Sequence, residues 1–254
     1  MGADCGSESP LRSNFEARGY FYTRMTEADL RPVDFVAGLK TMGTVEYVEG
    51  GAAGGLVHAE IPVPADAGSG YCALTRIGSG LLVIVDDYSL QKPREEMIQD
   101  GGLIQLNFRL SGEVALARVG SGTVHLSGPG LFMAAHPRGN TSTRVVACTS
   151  RDRGVTLVVT PRFLEDEFLN PCISGGSLLR ELASRPITSP RFQRVSLSGI
   201  MLQAVTRLLN NRYFGKLSLL YTEGMARELL CAAMSTADRP VELHRGSQTL
   251  STLH

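Results

Sequence analysis

Between residues 56 and 160 the chain is a train of short apolar runs that turn residues keep interrupting, and that rhythm excludes most folds. LVHAEIPV, YCALTRI, LLVIVDDYSL, MIQ, LIQLNFRL, EVALARV, TVHL, LFMAAH, RVVAC and VTLVVT follow one another in order. Each is rich in β-branched or aliphatic residues and bounded by Gly, Pro, Asp or Ser, which is the pattern of strands. The breaks Gly78-Ser79-Gly80, Ser111-Gly112, Gly120-Ser121-Gly122 and Ser127-Gly128-Pro129-Gly130 read as hairpin or sandwich turns, where glycine takes a positive φ at little steric cost. No helical period of useful length intervenes, so a parallel α/β sheet has no crossovers to build it. An antiparallel barrel or sandwich remains.

At Pro161 the texture changes. RFLEDEFLN starts a helix with Pro161 in its first turn, and Ser177 to Ser184 reads as another short one. Two longer patterns follow. Leu197, Met201, Val205 and Leu208 fall on one stripe, with Leu202 and Leu209 beside it, and this helix ends near Asn210-Asn211. Tyr221, Met225, Leu229 and Ala232 form a second stripe within a helix from Lys216 to Ala237. The link Arg212-Tyr213-Phe214-Gly215 makes the pair an αα-hairpin. Its apolar surface is wider than one contact needs. The expected partners are the sandwich and a second copy of the hairpin.

A chain of 254 residues with 43% hydrophobic and 20% charged residues can bury a sizeable core without staples. Formal net charge is +0, so the overall balance draws it neither to nucleic acid nor to an anionic membrane. MGADCGSESPLRSN has no apolar stretch of signal-peptide type, and no run approaches a membrane span of about 18 residues. The cytoplasm is the expected location. The five cysteines are widely spaced with no C-x-x-C, which predicts reduced thiols. The five histidines form neither H-x-H nor H-x-x-x-H, so neither a metal site nor any cofactor is expected. No nucleotide-cradling glycine motif and no G-x-S-x-G elbow occur.

Three further features set the organisation. A strand-rich half contains LIQLNFRLSGEV and then PGLFMAAHPRG. A strand then runs into PRFLEDEF, and a two-helix hairpin comes last. This order resembles the sensor half of AraC-type transcription regulators, and within them the pyochelin-regulator branch, over about residues 80 to 250. The resemblance implies an α+β fold: a cupin-like antiparallel β-barrel or sandwich that binds a small effector, then a helical hairpin that dimerises. Residues 1–30 are expected to be a mobile segment and 31–165 the effector-binding β domain. Residues 166–240 would be the dimerisation region, and 241–254 a linker toward a helix-turn-helix DNA-binding domain absent from this chain. Pro32 to Leu39 reads as a short helix, and Gly50 to Gly55 as a flexible break.

Within LIQLNFRL the alternation sets Gln105, Asn107 and Arg109 opposite Ile104, Leu106, Phe108 and Leu110. The polar set faces solvent or the mouth of the container. In the second case Arg109 is able to grip a carboxylate or phenolate through paired hydrogen bonds. Asn107, Arg109, His125, Tyr88, Phe132 and His136 are the candidate ligand contacts. Core packing for Tyr88 and Phe132, a strand-face bond for His125 and a turn role for His136 are the plainer alternatives. Asp86-Asp87 reads as the end of a strand, and Arg144, Arg151 and Arg153 as a solvated cluster. Leu202, Val205, Leu209, Met225 and Leu229 are the candidates for a homodimer seam. The partners expected are a small-molecule effector, a second copy, and DNA through the missing module only. No catalytic residue is assigned. The alternative reading is a cupin-fold, metal-dependent isomerase or oxygenase.

Overall fold

A computed structural model describes residues 46–49, 57–99, 101–118, 122–139, 141–146, 151–168 and 178–237. The strands are β1 (Glu46–Glu49), β2 (Val57–Pro62), β3 (Gly68–Ile77), β4 (Leu81–Leu90), β5 (Arg94–Gln99) and β6 (Ile104–Ser111). They continue with β7 (Glu113–Arg118), β8 (Gly122–Ser127), β9 (Gly130–Ala135), β10 (Thr141–Val146) and β11 (Asp152–Val159). Helices α1 (Pro161–Phe168) and α2 (Leu178–Ser184), strand β12 (Arg191–Val195), and helices α3 (Gly199–Leu209) and α4 (Gly215–Ala237) complete the order. One sheet runs β1-β2-β3-β4-β11-β6-β9-β12 and a second runs β5-β10-β7-β8. Every neighbouring pair is antiparallel. Among the described residues the two sheets share no ladder. Of the two forms expected, the fold is therefore the open sandwich rather than the closed barrel.

Two cores follow from the pleat. On one face of the large sheet Val83, Val85, Leu106, Phe108, Leu131, Met133, Val155 and Leu157 pack against the helices. The helices answer with Leu164, Leu179, Met201, Val205, Leu208, Leu229 and Leu230. On the other face Tyr88, Leu90 and Phe132 meet Val114, Leu126 and Val146 of the small sheet. The β-branched and aliphatic runs thus serve two layers at once. This is why LLVIVDDYSL reads as nearly continuous hydrophobicity instead of alternation.

The helices begin where their caps say. Phe163 N–H donates to Thr160 Oγ1 at 3.0 Å just ahead of Pro161, and Met201 N–H donates to Ser198 Oγ at 3.3 Å. Both long helices fall within a residue or two of their expected bounds.

Several expectations are corrected. Asp86 and Asp87 do not end a strand. They lie inside β4, both buried. Arg191–Val195, which the sequence pattern leaves unassigned, is a strand, because β9 offers it an open edge. Glu46–Glu49 likewise pairs with β2. Val205, Leu209 and Leu229 are buried in the chain's own core, so they are not available to a seam between copies, and Met225 packs half-buried against the same core. Of that set only Leu202, 47% exposed, faces outward. Arg151 and Arg153 form a cluster at the surface as expected, but both pair with the buried Asp87. The segment 1–30, the helix at Pro32–Leu39, the Gly50–Gly55 break, the Arg144 side chain and the linker at 241–254 lie outside the described residues.

One cross-strand pair carries a pH prediction. His58 stands opposite Thr75 in the β2–β3 register, and its Nδ1 lies 2.8 Å from Thr75 Oγ1. Burial holds the imidazole below its ordinary pKa. The unfolded chain therefore takes up the proton first, so this contribution is intact above about pH 6.5 and is lost as the pH falls toward the lowered folded value. Urea titrations from about pH 7 to about pH 5 should show stability falling less steeply in His58→Gln than in the wild type. Parallel curves would place the acid sensitivity elsewhere.

Candidate functional site

The register of the large sheet stacks its inward-facing side chains into rows. Cys72, Asp86, Gly154, Arg109 and Gly130 form one row across β3, β4, β11, β6 and β9. Leu74, Ile84, Thr156, Asn107 and Phe132 form the next. Ile104, Leu106 and Phe108 point the other way, into the helical layer, which settles the orientation of LIQLNFRL. Its polar residues look at the small sheet, not at bulk water.

Arg109 is 2% exposed and its Nη1 donates to Asp152 Oδ1 at 2.6 Å. The sequence reading missed Asp152. Three glycines make the pair possible. Gly130 and Gly154 flank Arg109 in its row and put no side chain in the path of the guanidinium. Gly112, at φ +101°, passes so close that a Cβ there would lie 2.9 Å from Arg109 Nη1 and 2.9 Å from Asp152 Cγ. Asp152 stands two residues before Gly154 on β11 and so shares its inward face, opposite Tyr88 on β4. The register shift between Arg153 and Gly154 offsets the β6 partners at this point.

Around this pair the interior is polar and balanced in charge. Arg76 and Asp86 are buried on the same face, as are Arg109 and Asp152, giving two formal positive and two formal negative groups. Asn107 Nδ2 donates to Thr156 Oγ1 at 2.7 Å. Asn107 Oδ1 and Arg109 Nε are buried and have no hydrogen-bond partner among the described residues. An acceptor and a donor two residues apart on one strand face, about 7 Å along the chain, thus stand without a partner among the described residues. Phe132 supplies an aromatic wall. It stacks on Phe192 at 6.3 Å, and the Arg194 guanidinium lies 5.2 Å from its ring centre.

Of the six expected contacts, the structure brings Asn107, Arg109, Tyr88 and Phe132 onto this inner face. His125 it does not. Val124 and Leu126 turn inward on β8, so His125 points outward, its side chain 64% exposed and 4.0 Å from Glu113 Oε1. His136 is buried, but it follows the far end of β9, roughly 13 Å along the strand from Phe132. The expected grip of Arg109 on a ligand carboxylate is also revised, because Asp152 already occupies one end of the guanidinium. Among the described residues no group of three or more His, Cys, Asp or Glu side chains is arranged to hold a metal ion.

A family model described as the regulatory protein PchR N-terminal domain matches residues 68–247, from β3 to beyond α4. The chain belongs to this family. It is the N-terminal domain of an AraC-type regulator, and every residue of the polar inner face named above lies within the matched span. No curated protein matches this PchR-type domain significantly. Solved structures resemble it only loosely. A single-residue variant of apo ToxT from Vibrio cholerae is 10% identical with a TM-score of 0.38, over 64% of this chain and 60% of that one. GK1651 from Geobacillus kaustophilus is 13% identical at 0.30, over 60% and 49%. The Schizosaccharomyces pombe Cnp3 cupin domain is 15% identical at 0.26, over 45% and 75%. At these scores they bear on neither fold nor function. The PchR-type domain spans about half to three-fifths of the length of the first two.

Proposed function

We propose that this domain takes a small-molecule effector between its two sheets and pairs with a second copy through the outer face of its helical hairpin. Effector binding then controls a helix-turn-helix module elsewhere in a cytoplasmic transcription activator. The supporting observation is the buried polar face around Arg109, with Asn107 Oδ1 and Arg109 Nε unpartnered among the described residues. A filled core has no use for such groups, whose burial without a partner costs about 1–3 kcal/mol each. An effector carrying both a donor and an acceptor on an apolar body offsets that cost, and discriminates against analogues lacking either. The switch requires only that the effector prefer one of two hairpin arrangements. Among the described residues no helix is long and apolar enough to cross a membrane. The metal-enzyme alternative gains no observation.

Native mass spectrometry of the protein exposed to a small-molecule extract of its own cells should show a retained ligand. Asn107→Leu should lose it. Retention undiminished in that variant would remove the effector from this face.

The pairing face is redrawn from the exposures. Ile200, Leu202, Phe214, Leu217 and Leu220 are large apolar side chains 47–87% exposed along α3, the link and the first turns of α4. Leu217 and Leu220, three residues apart on α4, share one exposed face beside Phe214, and apolar exposure of this kind marks an interaction surface. Leu217→Glu with Leu220→Glu should move the sedimentation coefficient from dimer to monomer, weakening self-association at least a hundredfold if both sites lie at the seam centre. A dimer that survives the pair is held elsewhere.

A further inference from the structure

We propose that the cleft between the β2–β3 end of the large sheet and the hairpin link is a second small-molecule site, one that takes an organic cation with an aromatic body. It goes beyond the effector reading, because it lies on the opposite face of the sheet from Arg109. The cleft has a volume of about 790 Å³, the size of an ordinary ligand pocket. Its floor is built by His58 and Glu60 of β2 and Tyr71 and Thr75 of β3, and its far wall by Tyr213 and Phe214 of the link.

The chemistry of the lining selects the ligand. Among the described residues no lysine or arginine lines the cleft, and Glu60 is its one carboxylate. Burial keeps His58 neutral at neutral pH. Tyr71, Tyr213 and Phe214 offer three aromatic rings, whose faces attract cations. Burial first, then Asp87 and Glu60, raise the Tyr71 pKa, against the opposing pull of Arg153 and Arg151. With Asp87 paired to those two arginines, Glu60 is the carboxylate left to face a guest. Asn211, Ser218 and Thr222 add neutral polar groups suited to an ammonium or its hydration shell.

The wall is also pre-shaped. Asn211 Nδ2 donates to Ser218 Oγ at 2.8 Å, and Tyr213 N–H donates to Asn211 Oδ1 at 3.0 Å. Tyr213 further rests on Tyr221, ring centres 5.0 Å apart. These bonds fix the link that presents Tyr213 and Phe214. Phe214, at 87% exposure, stands at the cleft mouth with little of its own chain covering it. A guest bound there touches sheet and hairpin together, and so holds the link that borders the exposed face of α4.

The test uses a convenience of composition: the chain has no tryptophan. Phe214→Trp installs a single reporter at the rim. Titration with phenethylamine should give a saturable fluorescence change, with neutral phenethyl alcohol and anionic hydrocinnamate at least tenfold weaker. Adding Glu60→Gln, an exposed position that leaves the fold intact, should weaken the amine about tenfold. Calorimetry on the wild type should return the same ranking, which guards against an effect of the reporter itself. A flat titration, equal responses to the three probes, or an amine affinity unchanged by Glu60→Gln would overturn the proposal. None of these results touches the effector reading, whose readout is retention of a cellular ligand by wild type and its loss in Asn107→Leu.

Discussion

Replacing Asp152 with alanine is expected to destabilise the domain by about 3–5 kcal/mol, lowering its melting temperature by roughly 10 °C. The carboxylate and its partner Arg109 are both almost fully buried, so removal strands a guanidinium in a medium that solvates it poorly. That cost is a large part of the net stability of an ordinary domain, about 5–15 kcal/mol. Arg109→Met with Asp152→Leu should recover most of it, since two apolar groups of similar volume leave no charge uncompensated. Chemical denaturation of the wild type, the single variants and the double variant gives the coupling directly. The Arg227 pairs with Glu167 and Glu223 sit at the half-exposed surface and provide the contrast. Their removal should cost no more than about 1 kcal/mol and should be sensitive to salt, whereas the buried pair should not. An Asp152→Ala variant as stable as the wild type would mean that water already reaches Arg109.

The same pair shows why the site was only half legible in the sequence. The alternation in LIQLNFRL said that Asn107 and Arg109 share a face, and that face is buried. It said nothing of what stands opposite. Asp152 lies 43 residues downstream, and its approach is set by the β6–β11 register together with a one-residue shift at Arg153/Gly154. Register is a property of two strands and of the turns between them, and neither strand records it alone. A hint was present: Ser111-Gly112 and Gly154 are small residues at both ends of the future pair, but the first reads as turn chemistry and the second only as the residue ahead of an apolar run. Asp86-Asp87 misled for a related reason. Paired acids are usually solvated, yet here one faces the interior and the other is neutralised by Arg151 and Arg153.

The helices were easier, because their period is local. The expected bounds of α3 and α4, the proline at the start of α1 and the link between the long helices all follow from spacing and capping within a few turns. What spacing does not decide is which side of a two-sided hairpin meets its own sheet. Val205, Leu209 and Leu229 and the outward Leu217 and Leu220 are equally apolar, and only docking onto Phe108 and its neighbours separates them. β12 was invisible for the opposite reason. RFQRV has one buried residue in five, and it becomes a strand because β9 would otherwise end the sheet with unpaired backbone groups.

Phe108→Ala should be the most damaging apolar truncation on β6, at about 3–5 kcal/mol. The ring is 0% exposed and belongs to the core shared by sheet and helices. Truncation removes its transfer free energy and leaves a cavity that two stiff layers close only in part. On the opposite face of the same strand, Asn107→Ala breaks one hydrogen bond to Thr156 and should cost about 1 kcal/mol. Phe108→Leu keeps most of the volume and should recover the larger part of the loss. The comparison has a functional edge. Phe108 seats α3, and α3 with α4 carries the outward apolar face, so Phe108→Ala should also weaken self-association. Asn107→Ala should leave self-association alone and impair effector retention. Urea denaturation and sedimentation of both variants test the division. If Phe108→Ala and Asn107→Ala cost the same, the helical layer is not held through β6, and the two faces of this strand do not divide assembly from recognition.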